Sequence, residues 1–202
     1  MGGMCTRIGQ KESELKMLMT VMNHAVFDDE THFTKTELER LFNQFWAMAY
    51  KEGTTYNEYR MPVLSYEDLL KYTDSRNPLH ERIILAFMAS KPRDQMQLAR
   101  MDLKTFVKRM SLFTRTAPLQ DKLKFMFRVY DTYNNEVINA SDVKALLVEL
   151  HGDEMTEYQR DSMAREFLKE FGDETAVEIT RDMFVKNCGE GTTLDDMVVR
   201  FA

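Results

Sequence analysis

One short pattern recurs four times in this chain and constrains its fold more than any other feature. An apolar residue is followed at once by a helix-capping residue, and five positions after the first comes a second apolar or aromatic residue. The four instances are Leu64/Ser65/Leu69, Met101/Asp102/Phe106, Ile138/Asn139/Val143 and Ile179/Thr180/Phe184. Their last members are spaced by 37, 37 and 41 residues. A fixed period of this size indicates one supersecondary unit used repeatedly.

The unit has the layout of an EF-hand, which consists of a helix, a loop, a single residue of extended pairing and a capped exit helix. Helical spacing of apolar residues runs through the rest of the chain, and the pairs Thr34/Glu37 and Thr156/Gln159 form capping boxes. The pattern predicts an all-α, two-lobed protein with four degenerate EF-hands. The expected parts are an N-terminal extension (1–30), an N-lobe with hands one and two (31–113), a C-lobe with hands three and four (114–192) and an amphipathic tail (193–202).

Glycine is scarce where such loops need it. No glycine occurs between Gly53 and Gly152, which excludes a dinucleotide fingerprint, a P-loop and a nucleophile elbow from the middle of the chain. A calcium loop needs six to eight oxygens, a glycine turn and a closing bidentate Glu. Loops one and two have no acceptable ligand set. Loop four, from Gly172 to Met183, offers Ala176 at its fifth position and a thioether at its twelfth, so we expect it to be metal-free.

Loop three, from Asp131 to Asp142, is the one contender for a metal. Its candidate ligands are Asp131, Asn135, the carbonyl of Val137, Asn139 and Asp142. Tyr133 does not suit the third position, and Glu136 replaces the glycine whose positive φ lets the loop wrap an ion. Two alternatives remain open: a weak Mg²⁺ or Ca²⁺ site, or an empty loop held by its own hydrogen bonds.

The composition argues against catalysis and against nucleic acid. The four histidines (His24, His32, His80 and His151) have no companion motif for a metal protease, a hydrolase or a thiol enzyme. The net charge of −6 disfavours nucleic acid as a main partner. The sequence therefore predicts a protein that is not an enzyme.

The N-terminus fits the myristoylation pattern M-G-x-x-x-[ST], with Gly2 as the acceptor and Thr6 closing the motif. One acyl chain binds a membrane only marginally, so S-acylation of Cys5 is the second signal we expect. Two cysteines, Cys5 and Cys188, do not make a disulfide framework, which favours a reducing compartment. The expectation is a cytoplasmic protein held at the inner face of the plasma membrane.

Several segments resemble a known family. The helix at residues 122–131 is similar to the one that enters the third hand of calcineurin B-like proteins. Asn77-Pro78-Leu79, Arg82-Ile83 and the segment 110–118 resemble more narrowly the calcium- and integrin-binding proteins. The calcineurin B homologous proteins, which serve sodium/proton exchangers, are the alternative resemblance.

The resemblance implies a myristoylated adaptor whose apolar groove holds an amphipathic helix of a membrane protein. Family partners are integrin tails and transmembrane channel-like mechanotransduction channels. In the family the third and fourth hands bind divalent ions, and this chain departs from that pattern at Tyr133, Glu136, Ala176 and Met183. Calcium responsiveness is therefore the property that the departure puts in question.

Helices of the predicted C-lobe carry the residues that suit such a groove. They are Met126, Leu147, Met163, Phe167 and Val185. The 16 methionines of the chain favour an adaptable apolar surface. The alternative for each of these residues is a place in the core, because apolar stripes of helices usually pack inward. The tail (193–202) has two interpretations, a flap that a partner helix displaces or a helix packed permanently on the C-lobe. A calcium or magnesium sensor that uses loop three alone is the competing function.

Overall fold

The computed structural model describes residues 33–50, 54–58, 61–73, 76–88, 98–114, 116–172 and 174–188. The helices in these ranges are α1 (Lys35–Ala49), α2 (Tyr66–Tyr72), α3 (His80–Met88), α4 (Leu103–Met110), α5 (Leu119–Tyr130), α6 (Ala140–His151), α7 (Glu157–Phe171) and α8 (Arg181–Asn187). The strands are β1 (Leu64–Ser65), β2 (Arg100–Met101), β3 (Val137–Asn139) and β4 (Glu178–Thr180). The helical prediction is confirmed.

The four repeats have the predicted geometry. β1 pairs antiparallel with β2 through Leu64 and Met101, and β3 pairs with β4 through Ile138 and Ile179. All four of these apolar residues are buried. The residue after each one is an N-cap whose side chain accepts a backbone N–H of the following helix, as Asp102 does from Thr105 at 2.7 Å. The chain therefore forms two pairs of EF-hands.

Two capping boxes begin the longest helices. Thr34 and Glu37 exchange hydrogen bonds at the start of α1, and Thr156 and Gln159 do so at the start of α7. Each box satisfies N–H groups that have no partner inside the helix. Both boxes were predicted from the sequence and are confirmed.

The buried apolar residues form two clusters. The first is built from α1 to α4 and contains Trp46, the single tryptophan of the chain. The second is built from α5 to α8 with β3 and β4. Helix α5 contributes to both, because Phe125 and Val129 belong to the first cluster whereas Leu123 and Phe127 belong to the second. A helix buried on two faces joins the two pairs of hands.

A buried cation crosses the same junction. Arg82 on α3 is 3% exposed. Its Nη1 donates to the Val129 carbonyl at 3.3 Å and to the Thr132 hydroxyl at 2.6 Å, and its Nε pairs with Glu149 on α6. Each of these partners belongs to the third EF-hand. Arg82 therefore ties the first pair of hands to loop three.

Candidate functional site

Loop three keeps the backbone turn of an EF-hand without a glycine. Asn134 and Glu136 have φ values of 51° and 68°, in the left-handed region. Residues other than glycine seldom adopt this region, because their Cβ crowds the following carbonyl oxygen. The Glu136 carboxylate forms an ion pair with Arg181, the first residue of α8. Glu136 in place of the glycine therefore does not abolish the turn. The strained backbone lowers the free energy of unfolding instead.

The closing carboxylate of loop three is completely buried and faces backbone amides. Asp142 Oδ1 accepts from the N–H of Thr132 at 2.8 Å and of Tyr133 at 3.3 Å. Its Oδ2 accepts from the N–H of Asn139 at 3.0 Å, as part of the box that caps α6. Asp142, the twelfth residue, thus links the beginning of the loop to its end through hydrogen bonds.

The first carboxylate of loop three is also bound to its own loop. Asp131 accepts from the N–H of Asn135 at 3.0 Å and of Glu136 at 2.9 Å. Burial raises the pKa of Asp131, the Asn135 N–H opposes that shift, and the nearby charge of Asp142 raises the pKa further. Two buried carboxylates therefore share the loop, and each is stabilised mainly by backbone donors.

The remaining candidate ligands complete this internal network. The orientation of the Asn135 amide that satisfies its neighbours places Nδ2 2.8 Å from the Val137 carbonyl and 3.2 Å from an oxygen of Asp131. Asn139 Oδ1 accepts from the N–H of Ser141 at 2.8 Å. All five candidate ligands thus take part in one hydrogen-bond network within the loop, and backbone amides occupy the side-chain oxygens of Asp131, Asn139 and Asp142.

In this arrangement backbone amides occupy the loop-three carboxylates, so a calcium ion would have to displace them. Calcium takes six to eight oxygens, and the closing Asp142 is committed to three N–H groups. Tyr133 is 60% exposed and supplies no carboxylate. No group of three or more His, Cys, Asp or Glu side chains suited to a metal occurs in the part of the chain that the structure describes.

Loop four is tightly packed at Gly172, its first residue. A Cβ added to Gly172 would lie 2.5 Å from the Cβ of Ala176 and 2.7 Å from the carbonyl oxygen of Leu168. Met183, at the twelfth position, packs on the second cluster. Asn187 Nδ2 donates to the Phe171 carbonyl at 2.9 Å, which satisfies the end of α7. The side chains predicted to exclude a metal here serve packing instead.

The five candidate groove residues differ in exposure. Leu147 is buried in the second cluster, and Met126, Phe167 and Val185 are half-buried against it. Met163 on α7 is 46% exposed. The structure therefore places four of the five on one cluster and leaves Met163 facing solvent.

Other sites predicted from the sequence lie outside the described residues. They are Gly2, Cys5, the extension 1–30 and the tail 193–202. No helix among the described residues is long and apolar enough to span a bilayer.

The sequence did not predict the contacts of Arg82 and Arg181 with loop three. The position of an arginine on a helix does not indicate which distant loop its side chain contacts.

Paired EF-hands with short antiparallel strands define the class of this molecule, which is an EF-hand protein. No family model matches the sequence. It is 30% identical over 139 residues to the type 2 calcineurin B subunit of Dictyostelium discoideum, covering 68% of each chain.

Two further relatives match a larger part of the chain at lower identity. The calcineurin B subunit of Naegleria gruberi is 23% identical over 171 residues, which cover 84% of this chain and 89% of the relative. The type 1 calcineurin B subunit of D. discoideum is 25% identical over 169 residues, which cover 83% and 86%. The chain belongs to the calcineurin B-like family of EF-hand proteins, as a divergent, non-catalytic member of the regulatory type.

Proposed function

We propose that this protein is a non-catalytic adaptor that holds an amphipathic helix of a membrane protein in an apolar groove, largely without calcium. The observation that carries the proposal is the internal closure of loop three, where backbone amides occupy both carboxylates. A lobe whose loops are closed by their own hydrogen bonds does not depend on metal for its shape. The relatives from Dictyostelium and Naegleria are each a subunit of calcineurin, which supports a binding role.

The helix partner comes from a membrane protein such as a transmembrane channel-like protein or an integrin tail. The resemblance of residues 77–83 and 110–118 to calcium- and integrin-binding proteins supports this choice. The groove consists of Met126, Leu147, Met163, Phe167 and Val185. Because Leu147 is buried and Met163 is exposed, the partner helix docks first on α7 and reaches the deeper residues as the lobe opens.

The N-terminus holds the complex at the inner face of the plasma membrane. Myristate on Gly2 and a thioester on Cys5 supply the two acyl chains that stable anchoring needs. An intact mass of the protein from its native source tests both modifications. Myristoylation raises the mass by the weight of one acyl group, and hydroxylamine removes only the Cys5 thioester.

Titration of synthetic helices tests the groove. Peptides from integrin tails, from transmembrane channel-like proteins and from sodium/proton exchangers are titrated into the full chain by calorimetry, in Ca²⁺ and in a chelator. We expect equal affinity in both conditions and a higher melting temperature in the complex. Met163→Gln weakens binding, whereas Val177→Gln, at an exposed apolar residue of loop four, serves as the control. An unchanged melting temperature contradicts the proposal.

A calcium or magnesium sensor is the second candidate, because two buried carboxylates, Asp131 and Asp142, share loop three. A cation there would relieve their repulsion. Calorimetric titration with millimolar Ca²⁺ or Mg²⁺ decides between the two candidates. Binding heat in the parent chain that disappears in Asp131→Asn favours the sensor. If binding of the partner helix also requires the metal ion, the result favours a regulator of an ion exchanger.

A further inference from the structure

The junction between the two pairs of hands contains a basic pocket on an otherwise acidic protein. The pocket has a volume of about 540 Å³ and lies between α4, the 3₁₀ turn Ser111–Phe113 and α5. Among the lining residues that the structure describes, the cations are Lys104, Lys108, Arg109, Lys124 and Arg128, and Asp121 is the one carboxylate. The whole chain carries a net charge of −6, so this cationic excess is local.

The fold holds these cations together at an energetic cost. Desolvation lowers the pKa of Arg109, and repulsion by Arg128 lowers it further. Desolvation also lowers the pKa of Arg128, with added repulsion from Arg181. The Asp121 carboxylate is already paired with Lys124 at 3.1 Å. An anion placed in the pocket would remove this repulsion.

We propose that this pocket binds clustered phosphomonoester groups of the kind carried by a phosphorylated inositol ring. Arg128 can hold a phosphate through two parallel hydrogen bonds, Arg109 can donate the N–H groups that its bond to the Phe87 carbonyl leaves over, and the lysines add point charges. Leu112 and Phe125 supply apolar lining, which strengthens the attraction by lowering the local dielectric. The volume falls in the range of roughly 300–1,000 Å³ typical of small-molecule sites and exceeds the space one free phosphate needs.

A phosphoinositide headgroup is the source that this pocket favours. This choice rests on the proposed anchoring of Gly2 and Cys5, which would bring the protein to a surface that displays such headgroups. A pocket that binds the headgroup adds a charge-based contact to the acyl chains.

Calorimetry with soluble inositol 1,4,5-trisphosphate tests the site on the full chain without lipid and without a partner helix. A failure here is thereby separate from a failure of helix capture. The test variant is Lys104→Gln with Arg128→Gln, since neither side chain has an ion pair within the described residues. The control is Lys122→Gln with Lys186→Gln, which removes the same charge outside the pocket. We expect the test variant to bind at least about tenfold more weakly and the control to be unchanged.

Further arms identify the source of the phosphate. Vesicles with 5% phosphatidylinositol 4,5-bisphosphate are expected to bind the unlipidated protein better than vesicles with equal charge from phosphatidylserine, and the test variant should lose that preference. Circular dichroism checks that each variant is folded. The proposal is overturned if inorganic phosphate binds as tightly as the trisphosphate, if an acidic or phosphorylated peptide binds while the trisphosphate does not, or if the two double variants behave alike.

Discussion

The guanidinium of Arg82 donates to the hydroxyl of Thr132 at 2.6 Å and so joins the first pair of EF-hands to the loop of the third. Arg82 lies on α3, and Thr132 is the second residue of loop three. The same guanidinium pairs with Glu149 on α6 and donates to the Val129 carbonyl. Because the side chain is almost fully buried, these contacts are little screened by solvent. The position of loop three is therefore coupled to the first hydrophobic cluster.

Replacing Arg82 should uncouple the two pairs of hands. Arg82→Ala leaves Glu149 without its cation and removes the bonds to Thr132 and Val129, so we expect a loss of about 2–4 kcal/mol in the free energy of unfolding. Urea titration followed by Trp46 fluorescence, which reports the first cluster, and by far-ultraviolet circular dichroism measures this loss. In the variant the two signals should separate into two transitions.

Lys124→Ala is the control for the Arg82 variant, because its ion pair with Asp121 is exposed. We expect it to change stability by less than about 1 kcal/mol. Coincident fluorescence and dichroism transitions in Arg82→Ala, with stability near that of the parent chain, would show that Arg82 does not couple the hands.

The backbone of Glu136 provides a test of the strained turn. Glycine adopts its φ of 68° without strain, whereas in any other residue the Cβ is crowded by the backbone at this angle. Both Glu136→Ala and Glu136→Gly remove the ion pair with Arg181, but only the glycine relieves the crowding. We expect the glycine variant to be more stable than the alanine variant by about 1 kcal/mol in thermal unfolding. An alanine variant at least as stable as the glycine variant would place Glu136 at a negative φ in solution.

Gly172 is a site where any side chain should disturb loop four. A Cβ there would lie 2.5 Å from the Cβ of Ala176 and 2.7 Å from the Leu168 carbonyl oxygen. We expect Gly172→Ala to lower the free energy of unfolding by about 1–3 kcal/mol through overpacking. Adding Ala176→Gly removes one of the two clashes and should restore part of the loss. If the double variant is no better than the single one in chemical denaturation, the clash with Ala176 is not the cause.

Asp131 predicts a pH dependence of stability. Burial, with the nearby Asp142, raises its pKa in the folded state above the value of about 3.9 expected in the unfolded chain. In the window between these two values the folded protein holds more protons, so the free energy of unfolding falls as the pH rises through it. Stability from this group is thus greatest below about pH 4 and is lost above the folded pKa.

The difference in unfolding free energy between the parent chain and Asp131→Asn, measured from pH 3.5 to 7.5, isolates this group. We expect the difference to decline with rising pH. The same comparison with Asp121→Asn, at a carboxylate on the surface, gives the background. A parent chain that gains stability over Asp131→Asn as the pH rises would mean that the backbone hydrogen bonds outweigh burial.

Cys188 should be an unreactive thiol. It is 5% exposed, and burial together with the charge of Glu170 raises its pKa to about 11. The thiolate is the reactive form, so a Cys5→Ser variant is expected to react with an aromatic disulfide reagent at pH 8 at least tenfold more slowly when native than when unfolded. Equal rates in the two states would show that the thiol is accessible.

The EF-hand units follow from local features of the sequence. The spacing of Leu64, Met101, Ile138 and Ile179 and the caps that follow them is local information, because strand alternation and helix capping act over fewer than five residues. For the same reason the capping boxes at Thr34 and Thr156 could be predicted from residue types.

The way these units pack against one another depends on contacts between segments that are distant in the chain. One face of α5, with Phe125 and Val129, packs on the first cluster. Arg82 contacts loop three from α3. The carboxylates of Asp131 and Asp142 accept hydrogen bonds from backbone amides. The cationic pocket likewise exists only where α4 and α5 meet. Each of these contacts depends on the relative orientation of segments far apart in the chain. That orientation is set by the packing of the whole core, which no local spacing encodes.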